Sequence, residues 1–370
     1  MTAELYIGLM SGTSADGIDA VLVDLKEIQP KLIAARYMPY PISIRDEIKS
    51  LYQPSHNEIH RLATLDVVLG KTFAKAVLAL LKKTSLKSKQ IKAIGSHGQT
   101  IRHSPHRPHS FTLQIGDPNI IAAMTGITTI ADFRRKDVAC GGQGAPLVPL
   151  FHEQLFSKEN HDRVIVNIGG IANITLLSSH FKKSPIAFDT GPGNTLLDAW
   201  IFKYRKQTMD KNGHFAESGV VQIDLLKKLL ADPYFKRLPP KSTGFDYFNL
   251  TWLQKYLNTL KKKWQPADIQ RTLTHLTAHS IMDAIKKYLK TGEILLCGGG
   301  VYNTCLVNTI KQEANSDFSI ASTLQYGMHP DWIEASAFAY LAKQTLLGLP
   351  GNLPQVSGAK EKTILGGIYR

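Results

Sequence analysis

Short apolar runs alternate with glycine-rich polar turns from the start of the chain. Residues 7–10 and 18–25 flank the turn "SGTSADG", and this pattern predicts strands over 5–10 and 18–25. "ARYMPYPI" (35–42) reads as a third strand. Across 55–83, Leu62, Leu65, Leu69, Phe73, Val77, Leu80 and Leu81 recur at helical spacing. Ser55 and Glu58 at its start have the form of a capping box. "IKAIGSHG" (91–98) and "ITTIADF" (127–133) predict two more strands. Strands and helices in alternation predict an α/β layer.

Near 135–150 the character changes: "CGGQGAPLVPL" is rich in Gly and Pro and reads as a crossing between lobes. "RVIVNIGGIANITLL" (163–177) then repeats the opening theme of apolar run, glycine turn and apolar run, about half a chain later. A structural duplication is the expectation, with a first lobe over 1–134 plus 350–370 and a second over 135–349. The second lobe continues with a strand–loop–helix at 186–201 and a strand–glycine–helix junction at 293–303. A helix over 331–348 is closed by Gly348, and 362–369 reads as a last strand.

Composition narrows the class. In 370 residues, 43% are hydrophobic and 20% charged, which suits a globular chain with a real core and more than one domain. No apolar run approaches the ~20 residues that span a bilayer, and the first ten residues lack a basic secretion-signal start, so no membrane association is expected. Cys140, Cys297 and Cys305 lack metal-site spacing and fit free thiols in the cytoplasm. The net charge of +14 admits nucleic acid or small anions as partners. The lysines are scattered in helical pairs without interleaved aromatics, so no nucleic-acid partner is expected.

Six stretches carry candidate chemistry. "GTSADG" (12–17) can form a nest of backbone amides and hydroxyls for phosphate, with Asp16 or Asp19 facing a magnesium ion through water. A long polar hairpin loop is the alternative. "NIGGIAN" (167–173) offers Asn167, Gly169 and Gly170 as a second phosphate clamp, although Gly-Gly hairpins are common. In "LLCGGGVYN" (295–303), Gly298, Gly299 and Gly300, followed by Asn303, let a flat adenosine lie against backbone. No dinucleotide fingerprint or Walker A motif accompanies it. "FDTGPGN" (188–194) places Asp189 at the end of an apolar strand, as a general base or as the cap of the next helix. "SHGQTIRHSPHRPH" (96–109) holds His97, His103, His106 and His109 without an acidic or cysteine partner, so His97 stands out rather than a zinc site. "ADFRRKD" (131–137) adds Asp132, Arg134 and Arg135, an arginine there being suited to a substrate carboxylate.

Two glycine hairpins and a glycine-rich adenosine turn resemble the superfamily of actin, sugar kinases and heat-shock chaperone ATPases. In order, "GLMSGTSADGIDAVLVD", "GSHGQT", "ADFRRKD", "NIGGIANIT", "FDTGPGN", "KSTG", "CGGGVYN" and "EASAFAYLA" resemble the anhydro-N-acetylmuramic acid kinases over nearly the whole chain. The resemblance implies two lobes of duplicated actin-like (ribonuclease H-like) architecture with a central ATP cleft. It implies a reaction in which 1,6-anhydro-N-acetylmuramic acid, water and ATP give N-acetylmuramic acid 6-phosphate and ADP, for cell-wall recycling. It carries an ATP loop onto Gly12, Thr13, Ser14, Ala15, Asp16, Gly17, Ile18 and Asp19, and a catalytic aspartate onto Asp189. It carries sugar contacts onto His97, Asp132, Arg134 and Glu334. Magnesium and a homodimer are further implications. One departure stands at Met10 and Ser11, where the superfamily often has an aspartate at the end of its first strand.

Overall fold

The structure, a computed structural model, describes residues 3–105, 108–178, 180–181, 185–260 and 262–370. The chain divides into two compact units, Met1–Leu155 with Trp332–Arg370, and Phe156–Asp331.

The first unit is built on strands β1 (Leu5–Ser11), β2 (Gly17–Asp24), β3 (Lys31–Pro39), β4 (Ile91–Ser104), β5 (Phe111–Ile115) and β6 (Thr129–Ala131). The carboxyl-terminal strand Gly367–Tyr369 pairs antiparallel with β6. The sheet therefore runs from that last strand through β6, β4, β1 and β2 to β3, with β5 added to β4. β1–β2 and β2–β3 are antiparallel, whereas β1–β4 and β4–β6 are parallel. The second unit holds β7 (Arg163–Ile168), β8 (Ile171–Leu177), β9 (Ile186–Pro192), β10 (Gly292–Cys297) and β11 (Phe318–Ser322). Their order is β11-β10-β7-β8-β9. β7–β8 and β8–β9 are antiparallel, and β7–β10 and β10–β11 parallel. Each unit thus has a meander of three strands followed by two parallel additions, the duplicated ribonuclease H-like, actin-like architecture.

Helices cover both faces of the first sheet. The Glu58–Thr84 helix turns Leu65, Leu69, Phe73, Val77 and Leu80 onto Ile7, Leu9, Ile18, Leu22 and Ile94. Each such fully buried side chain contributes about 1.5–3 kcal/mol. On the other face lies the Ile333–Leu346 helix, through Ala335, Phe338, Ala339 and Ala342. Two glycines, paired across β1 and β4, permit its close seat. A Cβ on Gly8 would stand 1.8 Å from the Ala335 carbonyl oxygen, and one on Gly95 would stand 1.9 Å from that of Phe338. This packing moves the lobe boundary: 332–349 belongs to the first unit, not the second. The stretch 135–155 joins it too, because Leu147 shares a core with Phe133 and Phe338.

In the second unit, Ala278, Ile281, Met282 and Ile285 of the Pro266–Lys286 helix and Leu306 and Ile310 of the Thr304–Ala314 helix cover Val164, Val166, Ile174, Ile294 and Leu296. The helix ending at Leu346 closes as expected. Gly348 takes φ +68°, its N–H reaches the Thr345 carbonyl at 3.1 Å, and the Leu349 N–H reaches that of Gln344 at 2.9 Å.

Several local expectations change. The third strand is Lys31–Pro39, and 42–50 is helical (Ile42–Ser50). The long helix starts after Asn57, not Ser55. The capping box does not form: Ser55 accepts from Arg61 Nη1 at 3.0 Å, and Glu58 pairs with Arg102. The strand expected over 91–98 runs on to Ser104, because β5 pairs with its second half. The one expected over 127–133 is shorter, because Phe133–Ala139 is a helix.

Candidate functional site

In the first unit the parallel strands β1, β4 and β6 end at one edge of the sheet, the usual place for ligands in such sheets. The 12–17 turn follows β1, His97 and Gln99 lie on β4 beside the end of β1, and Asp132 follows β6. The turn is pinned from behind by uncharged groups. Ser11 Oγ stands 2.6 Å from Gln99 Oε1 and 2.9 Å from the Gly17 carbonyl, which share its single proton, and it accepts from the Tyr40 hydroxyl at 3.1 Å. Gln99 Nε2 donates to the Gly12 carbonyl at 3.2 Å, and the Tyr52 hydroxyl donates to the Thr13 carbonyl at 2.8 Å. The Asp16 carbonyl accepts from the Tyr40 N–H at 2.9 Å. A turn whose carbonyls are drawn inward presents few acceptors to an anion. A buried hydroxyl at Ser11 thus fastens the turn from behind.

Not every residue of 12–19 faces outward. Gly12, Thr13, Ser14, Asp16 and Asp19 are at least partly exposed, whereas Ala15, Gly17 and Ile18 are buried. Ala15 and Ile18 send their side chains into the core. At Gly17 a Cβ would fall 2.4 Å from the Met38 carbonyl oxygen, so this glycine serves the approach of β3. Ala15 and Ile18 therefore direct no side chain to a ligand, and Gly17 serves strand packing. Asp16 has Arg45 Nε at 3.9 Å, an exposed pair of little energetic weight.

His97 is buried with both nitrogens used inside the protein. Nε2 accepts from Arg134 Nε at 3.0 Å, and Nδ1 lies 2.8 Å from the Gly98 carbonyl, to which it donates. Burial, with the Arg134 charge adding to it, holds this imidazole well below its usual range. The sequence made His97 a sugar contact; the geometry makes it a support for Arg134. Arg134 also donates from Nη1 to the Gly144 carbonyl at 2.7 Å. Asp132 stands at φ +62°, and Arg135 Nη1 reaches its Oδ2 at 3.3 Å. Burial pushes the Asp132 carboxyl up, and Arg135 opposes that. Glu334 lies in the first turn of the helix whose Phe338 ring centroid is 4.8 Å from that of His97. Residues four apart share a helix face, which sets Glu334 on the His97 side.

His103 bonds Thr112 Oγ1 at 3.0 Å within the β4–β5 pair, His109 is exposed, and His106 lies outside the described residues. Among the described residues no group of three or more His, Cys, Asp or Glu is placed to hold a metal.

In the second unit three motifs meet at the carboxyl ends of β7 and β10. A Cβ on Gly193 would stand 2.4 Å from the Gly169 carbonyl oxygen, and one on Gly298 would stand 2.3 Å from Asn167 Oδ1. The Gly170 carbonyl accepts from the Gly193 N–H at 2.9 Å, and the Gly169 carbonyl from that of Asn194 at 2.8 Å. Gly300 is packed against Ile168, whereas Gly299 is exposed with nothing within 4 Å of an added Cβ. Of these three glycines, Gly299 alone has open space, Gly298 being half-buried and close to Asn167. Asn303 is buried, and its Oδ1 accepts from the Leu306 N–H at 3.0 Å. It caps the Thr304–Ala314 helix, which corrects its reading as an adenosine contact.

Asp189 lies within β9, and Asn194 occupies the cap position of the following helix, so Asp189 is not that cap. The loop from Tyr234 to Thr243 holds it. The Asp189 N–H donates to the Lys241 carbonyl at 3.3 Å, and its own carbonyl accepts from the Tyr234 hydroxyl at 2.8 Å. Its Oδ2 accepts from the Thr243 N–H at 2.9 Å. Tyr234 is itself fixed by Asp232, whose buried carboxylate accepts from the Tyr234 N–H, Trp252 Nε1 and the Tyr247 and Tyr256 hydroxyls at 2.7–2.9 Å. Burial pushes Asp232 up, but these four donors together bring it below the usual range. The sequence missed this cradle. "KSTG" was its only visible signal.

The family described as anhydro-N-acetylmuramic acid kinase matches residues 4–370. The chain belongs to this family. It is 52% identical over 370 residues to the anhydro-N-acetylmuramic acid kinase of Coxiella burnetii (strain Dugway 5J108-111), covering 100% of this chain and 98% of that one. It is 50% identical over 373 residues to the kinase of that name from Saccharophagus degradans, with 100% of each covered. Membership makes the chain a phosphotransferase. Among solved structures, it is similar to an activator of the 2-hydroxyisocaproyl-CoA dehydratase from Clostridium difficile with bound ADPNP (TM-score 0.47, 13% identity, covering 94% of this chain and 99% of that one). It is also similar to a ROK family glucokinase from Streptomyces griseus in complex with glucose and AMPPNP (TM-score 0.42, 11% identity, covering 92% and 99%). Among the described residues, no helix is long and apolar enough to cross a membrane.

Proposed function

We propose that the protein phosphorylates O6 of 1,6-anhydro-N-acetylmuramic acid with ATP while water opens the anhydro ring, giving N-acetylmuramic acid 6-phosphate and ADP. Asp189 takes a proton from the attacking water, the water oxygen bonds to the anomeric carbon, and the C1–O6 bond breaks. The departing O6 accepts the γ-phosphoryl group and ADP leaves. A single carboxylate suffices, because the phosphoryl group captures the leaving oxygen that a glycosidase would have to protonate. The observation that carries this reading is the hold on Asp189: main chain bonded on both sides and one carboxylate oxygen on the Thr243 N–H. A base so fixed loses little entropy on reaching its reactive geometry.

Gly12, Thr13 and Ser14 are assigned to phosphate, as are Gly169 and Gly170, with the adenosine at Gly298 and Gly299. Arg134, steadied by His97, is assigned to the lactyl carboxylate of the sugar, with Asp132 and Glu334 beside it. Asp16 is exposed in the turn, which suits a carboxylate that holds magnesium through water beside nucleotide phosphates. Magnesium supplies charge neutralisation on those phosphates. The sugar is a fragment of bacterial peptidoglycan, so the reaction serves its recycling, in the cytoplasm and as a homodimer. The test is ADP release with and without 1,6-anhydro-N-acetylmuramic acid, beside Asp189→Asn. Sugar-dependent release that falls by about three orders of magnitude or more in the variant supports the reading. Release that survives in the variant removes Asp189 as the base.

A further inference from the structure

One buried cation in the second unit has no part in the reaction as just described. Lys241 is 8% exposed. Its Nζ stands 4.7 Å from the Tyr234 ring centroid and 5.4 Å from that of Phe188. Among the described residues its ammonium has one hydrogen-bond partner, the Tyr234 carbonyl at 3.5 Å. Three N–H donors are thus met by two ring faces and one long bond. An ammonium taken out of water at such a site needs a compensating charge. Asp189 and Asp283 are the carboxylates that favour its charge, and Asp189 is tied to the same stretch: its N–H donates to the Lys241 carbonyl, and its Oδ2 accepts from Thr243, two residues beyond the lysine.

We propose that Lys241 is a positioning residue for Asp189, its buried ammonium keeping that carboxylate ionised and turned toward the Thr243 amide. The inference rests on the reading of Asp189 as the base. Every charged group facing Lys241 enters the balance: Asp189 and Asp283 favour its charge, while Lys287 and Arg237 oppose it. Burial is the largest influence and pushes the ammonium down to about 8. The cation is therefore present at neutral pH and is lost in mildly alkaline solution. An anion beside a cation binds its proton less readily, so removing the cation raises the proton affinity of Asp189.

The experiment is the pH profile of kcat/KM for the anhydro sugar, measured for the parent, Lys241→Met, Lys241→Arg and Asp189→Asn, with thermal unfolding of each. In Lys241→Met the acid limb should move up by about one pH unit, and the lost orientation of the carboxylate should lower the neutral plateau of kcat/KM about tenfold and leave no alkaline limb near 8. The KM for ATP should hold. Lys241→Arg keeps the charge without titrating, so it should return the acid limb to its parental place and still lack the alkaline limb. A Lys241→Met protein that folds and keeps the parental profile overturns the inference. If that variant does not fold, a parental alkaline limb in Lys241→Arg overturns it instead. An active Asp189→Asn removes the reading of the base, and this inference with it. An inactive Asp189→Asn beside an unshifted Lys241→Met profile removes this inference alone.

Discussion

Arg134 Nε donates to His97 Nε2 across 3.0 Å, so a neutral imidazole is the rest on which a guanidinium is set. The Gly98 carbonyl fixes the tautomer by taking the Nδ1 proton, which leaves Nε2 as the acceptor. In His97→Phe the ring can still pack on Phe338, but the acceptor is gone. Losing a hydrogen bond to a charged group costs about 1.5–3 kcal/mol. The KM for the anhydro sugar should therefore rise about 10- to 100-fold, with a smaller change in kcat and in the KM for ATP. Steady-state kinetics decide; an unchanged sugar KM separates His97 from substrate binding.

Glycines in the two units should answer to alanine in opposite ways. At Gly8 and Gly95 a Cβ would stand under 2 Å from backbone of the Ile333–Leu346 helix, which must lift off the sheet to make room. Gly8→Ala and Gly95→Ala should each lose about 3 kcal/mol or more, measured by urea unfolding. Gly299 has open space, so Gly299→Ala should unfold like the parent while its KM for ATP rises.

Acid stability should depend on His152. It is buried in the Pro149–Phe156 helix, and burial pushes its imidazole down to about 3. The unfolded chain takes up this proton near the ordinary pKa of about 6.5, the folded protein only near 3. The unfolded state thus binds more protons between those values. The contribution is fully present above 6.5 and is lost as pH falls toward 3. In His152→Gln, unfolding free energy should fall less steeply over that window, by up to about 1.4 kcal/mol per pH unit. Parallel curves for variant and parent would contradict the assignment.

Turnover in 18O-water should place the label on the anomeric oxygen of the sugar phosphate and none in its phosphate group. Mass spectrometry of rapidly quenched product reads this directly. A product with unlabelled C1 oxygen would point to an ordinary hydroxyl-directed kinase without a water nucleophile.

The sequence by itself determined the alternation of elements, the two glycine hairpins, the strand carrying Asp189 and the helix stop at Gly348. These are local properties: period, turn chemistry and backbone freedom act over a few residues. Eight ordered motifs also made the family legible. Tertiary structure alone decided the rest. The Ile333–Leu346 helix joins the first unit because Gly8 and Gly95, far apart in the chain, lie side by side beneath it. Asn303 became a helix cap and Ile18 a core residue, since burial depends on what packs around a position. His97 turned from sugar contact to support when the fold brought Arg134, 37 residues away, onto its ring. The cradle of Asp189 needs Tyr234, Lys241 and Thr243 folded back against β9, and Asp232 gathering four donors to hold them. No residue of that loop carries its partner's position in its own spacing. Hydrogen bonds and charge balance between distant segments exist only once the chain has closed on itself.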